Sequence, residues 1–351
     1  MGPAASDGGA PARLPWQALL PWQRVAAQAL LARREVFPHA LLIHGARGIG
    51  KHALALALAQ GLLCEEPRDD GLACGRCPGC RYAEAGTHPD LLRVERLVFD
   101  DEGQALVPVD TIAVDRIRAL IDFVQLTSHR RRAKVAVIAP AERMNASAAN
   151  ALLKTLEEPP PDAYLLLVTE QPGRLPPTVV SRCRRLAAPR PGADEARAWL
   201  ATQGVGEGGI ALALALAGGA PLAALEHADP TWLAERRAWL DAMAHPERLA
   251  VTALAARIEA GGKEERGQRL ADCIAWLLSW TADLARVGGG GEARCHPDFA
   301  APAAALAARV APAALFGYHR RLERQRALLA HPLQPRLVAE ALLIEYVALF
   351  S

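Results

Sequence analysis

Two groups of residues in this chain have the types and spacing for chemistry. The first lies in HGARGIGKHAL, residues 44–54. Gly45, Gly50 and Lys51 fit the pattern G-x-x-x-x-G-K-[ST], in which backbone amides cradle phosphates and the lysine reaches the terminal ones. His52 stands where that pattern needs a hydroxyl to hold magnesium. A hard cation prefers oxygen, so the exchange removes a proper ligand. The second element of such a magnesium site is carboxylates at the end of the next core strand. There KVAVIAPAE gives Ala139 and Pro140, with Glu142 only past a proline that ends the strand. ATP is therefore not expected to be hydrolysed here. Nucleotide binding by Gly45, Gly50 and Lys51 without turnover stays open, and a plain tight turn between strand and helix is the alternative reading of the glycines.

The second group is CEEPRDDGLACGRCPGC, with Cys64, Cys74, Cys77 and Cys80 spaced C-x9-C-x2-C-x2-C. Four thiolates in so short a segment match a structural tetrahedral Zn2+ site, and Gly and Pro between the ligands suit its tight turns. Iron–sulfur ligation and free thiols are the alternatives. A four-thiolate site leaves no open position, so its role is structural and not the activation of water. The remaining cysteines, Cys183, Cys273 and Cys295, are scattered and read as packing residues.

The elements that must position these groups follow from periodicity. ALLIH (40–44) is a strand-length apolar run entering the glycine loop, and Lys51 to Leu63 reads as a helix, the context a phosphate loop requires. Then come a strand LLRV, a helix from about Asp110 to Leu126, a strand KVAVIA (134–139), a helix around NALLKTLEE and a strand YLLLV (164–168). Such alternation predicts an α/β fold with a parallel sheet. From APRPG (188–192) onward the chain reads as helical, punctuated by Gly-rich breaks. The expected division is a disordered tail 1–15, an α/β domain 16–190 carrying the cysteine module 64–80, a small helical domain 191–235 and a larger helical domain 236–351.

Composition narrows the class without naming a partner. The 351 residues carry a net charge of only +2, so any basic surface is local. The longest uncharged apolar run, IALALALA (210–217), is far short of the roughly 20 residues of a membrane span, so no membrane association is expected and a cytoplasmic location is. Arg130, Arg131, Arg132 and Lys134 form a basic run that reads as a solvated turn, with proximity to DNA phosphates as the alternative. His44, His88 and His129 lack ligand spacing. The tryptophans at 232, 239, 276 and 280 fall at helical intervals and read as core or subunit contacts.

The order of glycine loop, four-cysteine insert, AGTHPD (85–90), NALLKTLEEPP (150–160) and SRC (181–183) resembles the bacterial clamp-loader subunits of the AAA+ class. The resemblance implies a RecA-like AAA+ domain with the zinc module inserted, a helical lid and a helical collar that joins a hetero-pentamer. It implies motor (gamma/tau) and delta subunits as partners, with a sliding clamp and primer–template DNA met through the complex. The motor subunits keep the magnesium-binding Ser/Thr, an Asp-Glu pair and an arginine in a lid G-x-x-R motif. Here those places hold His52, Ala139 with Pro140, and Pro221 in GGAPL. The likeness is therefore to the non-hydrolysing, stator-like member of the group, with no ATPase or polymerase activity of its own expected. What the resemblance leaves active is Arg182 of SRC, as an arginine finger presented in trans to a neighbour's ATP. Its bland counterpart is a surface salt-bridge arginine. Two other functions remain in view: an active motor ATPase with unusual magnesium ligation, and a zinc-dependent nucleic-acid-binding regulator. The acidic EEPRDD beside Cys64 speaks against the regulator.

Overall fold

The computed structural model describes residues 16, 18–95, 97–99, 106–108, 111–130, 132–260, 262–329 and 334–350. The tail expected at 1–15, the start expected for a helix at Asp110, and Arg131 of the basic run lie outside the described residues. The chain divides into two units, Met1–Pro191 and Gly192–Ser351.

In the first unit, strands β1 (Ala40–His44), β2 (Leu91–Glu95), β5 (Lys134–Ala139), β6 (Ala163–Thr169) and β7 (Arg184–Ala187) form one parallel sheet in the order β2-β5-β6-β1-β7. β3 (Leu97–Phe99) and β4 (Leu106–Pro108) pair separately and antiparallel. Among the described residues the helices are α1 (Arg24–Leu31), α2 (Lys51–Leu63), α3 (Pro78–Glu84), α4 (Val114–Gln125), α5 (Ala146–Glu157) and α6 (Pro177–Val180). The three middle strands read as continuous apolar runs because helices cover both faces of the sheet. On one face, Leu42, Ile138, Leu165 and Leu167 share a core with Ile117, Leu120 and Val124 of α4 and Leu152 and Leu156 of α5. Period two sends Leu41, Ile43, Val135, Val137 and Leu166 to the other face, where α2 packs on β1, β5 and β6. α2 is apolar all round because α1 and α3 cover its outer side. Asn145 caps α5, its Oδ1 accepting from the Ala148 amide at 2.8 Å.

The second unit is helical throughout its described residues. α7 (Ala193–Thr202), α8 (Glu207–Leu216) and α9 (Pro221–His227) pack on one another around Leu200, Ile210 and Leu214. The apolar run at 210–217 thus belongs largely to a core helix, and among the described residues no single helix is long and apolar enough to cross a membrane. α10 (Pro230–Met243), α11 (Val251–Ala256), α12 (Lys263–Gly288), α13 (Ala300–Ala307), α14 (Pro312–Leu328) and α15 (Pro335–Ala348) share a second core. Trp239, Trp276 and Trp280 are buried in it, with Trp232 packed at its margin. The polar end of the Trp280 ring is satisfied: its Nε1 donates to Tyr346 Oη at 2.8 Å, which donates to the Met243 carbonyl at 2.6 Å.

A buried polar cluster ties the α12–α13 connection down. Arg236, 1% exposed, donates through both terminal nitrogens to Asp298 at 2.8 Å and through Nη2 to His296 Nδ1 at 2.7 Å. Nε2 of that ring lies 2.8 Å from Ser279 Oγ. Burial, and then the charge of Arg236, lower the His296 pKa from 6.5 to about 4. At pH 7 the imidazole is neutral folded or unfolded and pH has no leverage. Below 6.5 the unfolded ring takes up a proton that the folded one refuses until about 4, so stability falls with pH across that window. That difference corresponds to about 3 kcal/mol. Urea melts at stepped pH are expected to show this decline, and His296→Gln to flatten it; an unchanged slope in that variant would assign the decline to other groups.

Candidate functional site

The glycine loop leaves β1 at His44 and enters α2 at Lys51. Gly50 sits at φ +88°, and a Cβ there would lie 2.2 Å from Leu20 Cδ1 and 2.7 Å from Gln23 Nε2. Both the backbone conformation and the close approach therefore require glycine. The segment before α1 clamps the loop from outside: Trp22 Nε1 donates to the Ile49 carbonyl at 3.0 Å, and Gln23 Nε2 to the Gly50 carbonyl at 2.7 Å. A Cβ on Gly45 would meet Ile49 Cδ1 at 2.6 Å.

Lys51, 6% exposed, turns its ammonium to the Ala46 carbonyl at 2.7 Å and to Glu170 Oε1 at 3.5 Å. Burial lowers its pKa from the usual lysine value, and Glu170 opposes the shift. His52 is engaged within the chain. Its Nε2 lies 3.0 Å from Glu95 Oε1, an oxygen that also accepts from Arg93 Nε at 2.5 Å. Burial works against ionisation of Glu95, but His52 and Arg93 together outweigh it and hold the carboxyl below its ordinary range. At the end of β5, Ala139 and Pro140 offer no ligand. Glu142 follows, its Oε1 accepting from the Glu170 amide at 3.0 Å and its Oε2 buried without a hydrogen-bond partner.

The four cysteines converge. The Sγ atoms of Cys64, Cys74, Cys77 and Cys80 all lie within 4.8 Å of one another, with Cys64–Cys77 at 3.9 Å and Cys74–Cys80 at 4.0 Å. A tetrahedron of zinc–sulfur bonds of about 2.3 Å has edges of about 3.8 Å, so the set fits such an ion. Amides converge on the sulfurs: Cys74 N on Cys64 at 3.3 Å, Cys77 N on Cys74 at 3.3 Å and Cys80 N on Cys77 at 3.4 Å. Such donors orient and stabilise thiolate ligands. Burial raises the pKa of Cys64 and Cys80, whereas at Cys77 the surrounding donors overcome burial and bring it down to about 6. Glu65, next to the first ligand, joins the module to the sheet side by accepting from Gly79 N at 3.1 Å and Arg130 Nε at 2.6 Å. AGTHPD serves the same junction, for buried Asp90 accepts from the amides of His129 at 2.8 Å and Arg130 at 3.0 Å and pairs with Lys134 at 3.3 Å.

Arg182 follows α6 at the surface. Its neighbour Cys183 is buried in the sheet core with Val179 and Leu175, which anchors the SRC turn. The Arg182 Nε donates to Glu157 Oε1 at 2.7 Å, Nη2 reaches the same oxygen, and Nη1 donates to the Thr178 carbonyl at 2.9 Å. A third of the side chain stays exposed. The guanidinium thus lies back on the end of α5, apart from the glycine loop's own contacts.

Residues 25–191 match the family described as DNA polymerase III, delta subunit. The DNA polymerase III subunit delta' of Pseudomonas aeruginosa is 45% identical over 208 residues, 59% of this chain and 60% of that protein. That alignment spans less than two thirds of the relative's length. The tau subunit of Escherichia coli is 39% identical over 145 residues, 41% of this chain and 20% of tau. The subunit delta' of Yersinia pestis is 33% identical over 267 residues, 74% of each chain. The chain belongs to the DNA polymerase III delta' family. Its fold is accordingly an α/β AAA+ fold followed by a helical C-terminal part. In this delta' family member the geometry also brings in residues that sequence spacing did not single out. Glu170 meets Lys51, Glu95 meets His52 and Glu157 meets Arg182. Glu170 and Glu95 had a legible signal: each stands at the carboxyl end of a parallel strand, where ligand-facing groups of α/β sheets gather, whereas Glu157 had none.

Proposed function

We propose that this chain is a non-hydrolysing, stator-like delta' subunit of a bacterial DNA polymerase III clamp loader. It supports ATP-dependent loading of a sliding clamp on primed DNA during replication and lends Arg182 to a neighbouring motor subunit. Its partners on this reading are gamma/tau and delta subunits in a hetero-pentamer, with the clamp and primer–template DNA reached through the complex, in the cytoplasm. The division into an AAA+ domain 16–190, a lid 191–235 and a collar 236–351 goes with the same reading. Cys64, Cys74, Cys77 and Cys80 would hold a structural zinc ion, which cross-links the module and takes no part in turnover.

The observation that carries the reading is at position 52. His52 replaces the magnesium hydroxyl, and its ring is engaged by Glu95, while Ala139 and Pro140 supply no carboxylate. Without the metal the loop lacks the cation that bridges the β- and γ-phosphates and neutralises the charge that develops as the phosphoryl group transfers. The family's likeness to tau makes the motor ATPase the competing reading, and one assay separates them. The isolated chain is expected to hydrolyse no ATP above background, with or without DNA. Magnesium-dependent turnover that disappears in Lys51→Ala would replace the stator reading with the motor one.

A further inference from the structure

Hydrolysis and binding are separate questions, and the loop keeps the lysine that binding uses. The ammonium of Lys51 is, however, already committed within the chain. β6 lies beside β1 in parallel, with His44 opposite Thr169, so the two strands end level. The residue that follows β6 is therefore delivered to the mouth of the loop that follows β1. That residue is Glu170, and its Oε1 stands 3.5 Å from Lys51 Nζ. Glu142 supports it from the end of the next strand, accepting the Glu170 amide at 3.0 Å. The second oxygen of Glu142 is buried and unpartnered, and its charge also acts on Lys51.

We propose that Glu170, backed by Glu142, sets the anion selectivity of the glycine loop by standing in for a terminal phosphate and so excluding nucleoside triphosphates. In an open loop the lysine offers an uncompensated positive charge to the β- and γ-phosphates. Here Lys51 and nearby Arg47 are balanced by two carboxylates. An entering triphosphate would have to displace Glu170 from Lys51 and then lie beside both carboxylates, where like charges repel. The loop amides remain, but the charge that should draw the phosphates in is cancelled. The inference concerns this chain's own loop and goes beyond the loss of hydrolysis, which follows from position 52.

The test uses the full-length isolated chain and a fluorescent N-methylanthraniloyl ATP, titrated with and without magnesium. Wild type is expected to show no saturable binding. Glu170→Gln, which keeps size and removes charge, is expected to bind at least about tenfold more tightly than wild type, and Glu170→Ala likewise. Adding Lys51→Met to Glu170→Gln is expected to abolish the gain, which ties it to the lysine. Thermal melts matching wild type show that each variant is folded. Wild type binding as tightly as Glu170→Gln, or both Glu170 variants folded and still unable to bind, overturns the proposal. Magnesium-dependent turnover by wild type sinks the stator reading, whereas wild type binding as tightly as Glu170→Gln, without turnover, sinks only this one.

Discussion

A clamp-loader complex carrying Arg182→Ala is expected to assemble normally and to lose most ATP turnover at the single motor site that faces this subunit. An arginine finger acts where charge develops on the transferring phosphoryl group, and in related systems one is worth roughly 10³ to 10⁵ in turnover. On the proposed reading the bulk rate falls less, because the other motor sites would draw on arginines from other subunits. Assembly is spared for a reason visible in the structure. Arg182 supports no core, and its partner Glu157 is itself about half exposed. An exposed pair of this kind contributes about 1 kcal/mol or less. Cys183 and Val179, which do anchor the SRC turn, are untouched by the substitution. Arg182→Lys is expected to rescue poorly, since a point charge lacks the planar fork that now spans Glu157 and the Thr178 carbonyl and that matches phosphate oxygens. Steady-state ATPase and clamp loading by complexes differing only at Arg182 provide the measurement. Equal rates in well-assembled complexes would leave the Glu157 ion pair as the residue's whole role.

What could be read from the sequence and what could not divide along the range of the interactions. ALLIH, KVAVIA and YLLLV announced core strands because burial on both faces writes a continuous apolar run, and they became β1, β5 and the body of β6. The cysteines announced their convergence because two C-x2-C steps with a fourth thiol nearby are the spacing of a four-thiolate metal site. β7 was not anticipated: RRLA alternates no apolar face, and three of its four residues are exposed at the sheet edge, so Arg184 and Arg185 masked a strand. The helix expected from Asp110 begins among the described residues only at Val114, after an extended Ala113. The acids that define the candidate sites were harder still. Glu95, Glu157 and Glu170 act on His52, Arg182 and Lys51 from 43, 25 and 119 positions away, and no local pattern encodes such pairings. The position of His52 could be read as a lost magnesium ligand, but the ring's actual partner required the register that sets Glu95 at the end of β2.

Protein prepared without added metal is expected to carry one tightly held zinc ion per chain, and Cys77→Ser to lose it. Four sulfurs at the spacing of a tetrahedron, with amides aimed at three of them, have little reason to stay together unless a cation cancels their charge. Structural zinc in small peptides contributes about 10–16 kcal/mol of apparent folding free energy. An isolated finger unfolds when that is lost, but here the sheet has its own core, so the damage is local. It has a definite extent. Cys77 caps α3, and Glu65 links Gly79 at the start of that helix to Arg130, so the change runs through residues 64–84 and reaches the turn at 128–130. Hydrogen exchange is expected to rise in those two segments of the Cys77→Ser chain and to stay unchanged in β1, β5 and β6, with the main melting transition moved little. The same pattern should follow removal of the ion by a strong chelator and reverse on adding zinc. Iron in the wild type, or no metal, would end the zinc assignment; full collapse of the sheet in Cys77→Ser would instead mean that the module holds the AAA+ core together from outside it.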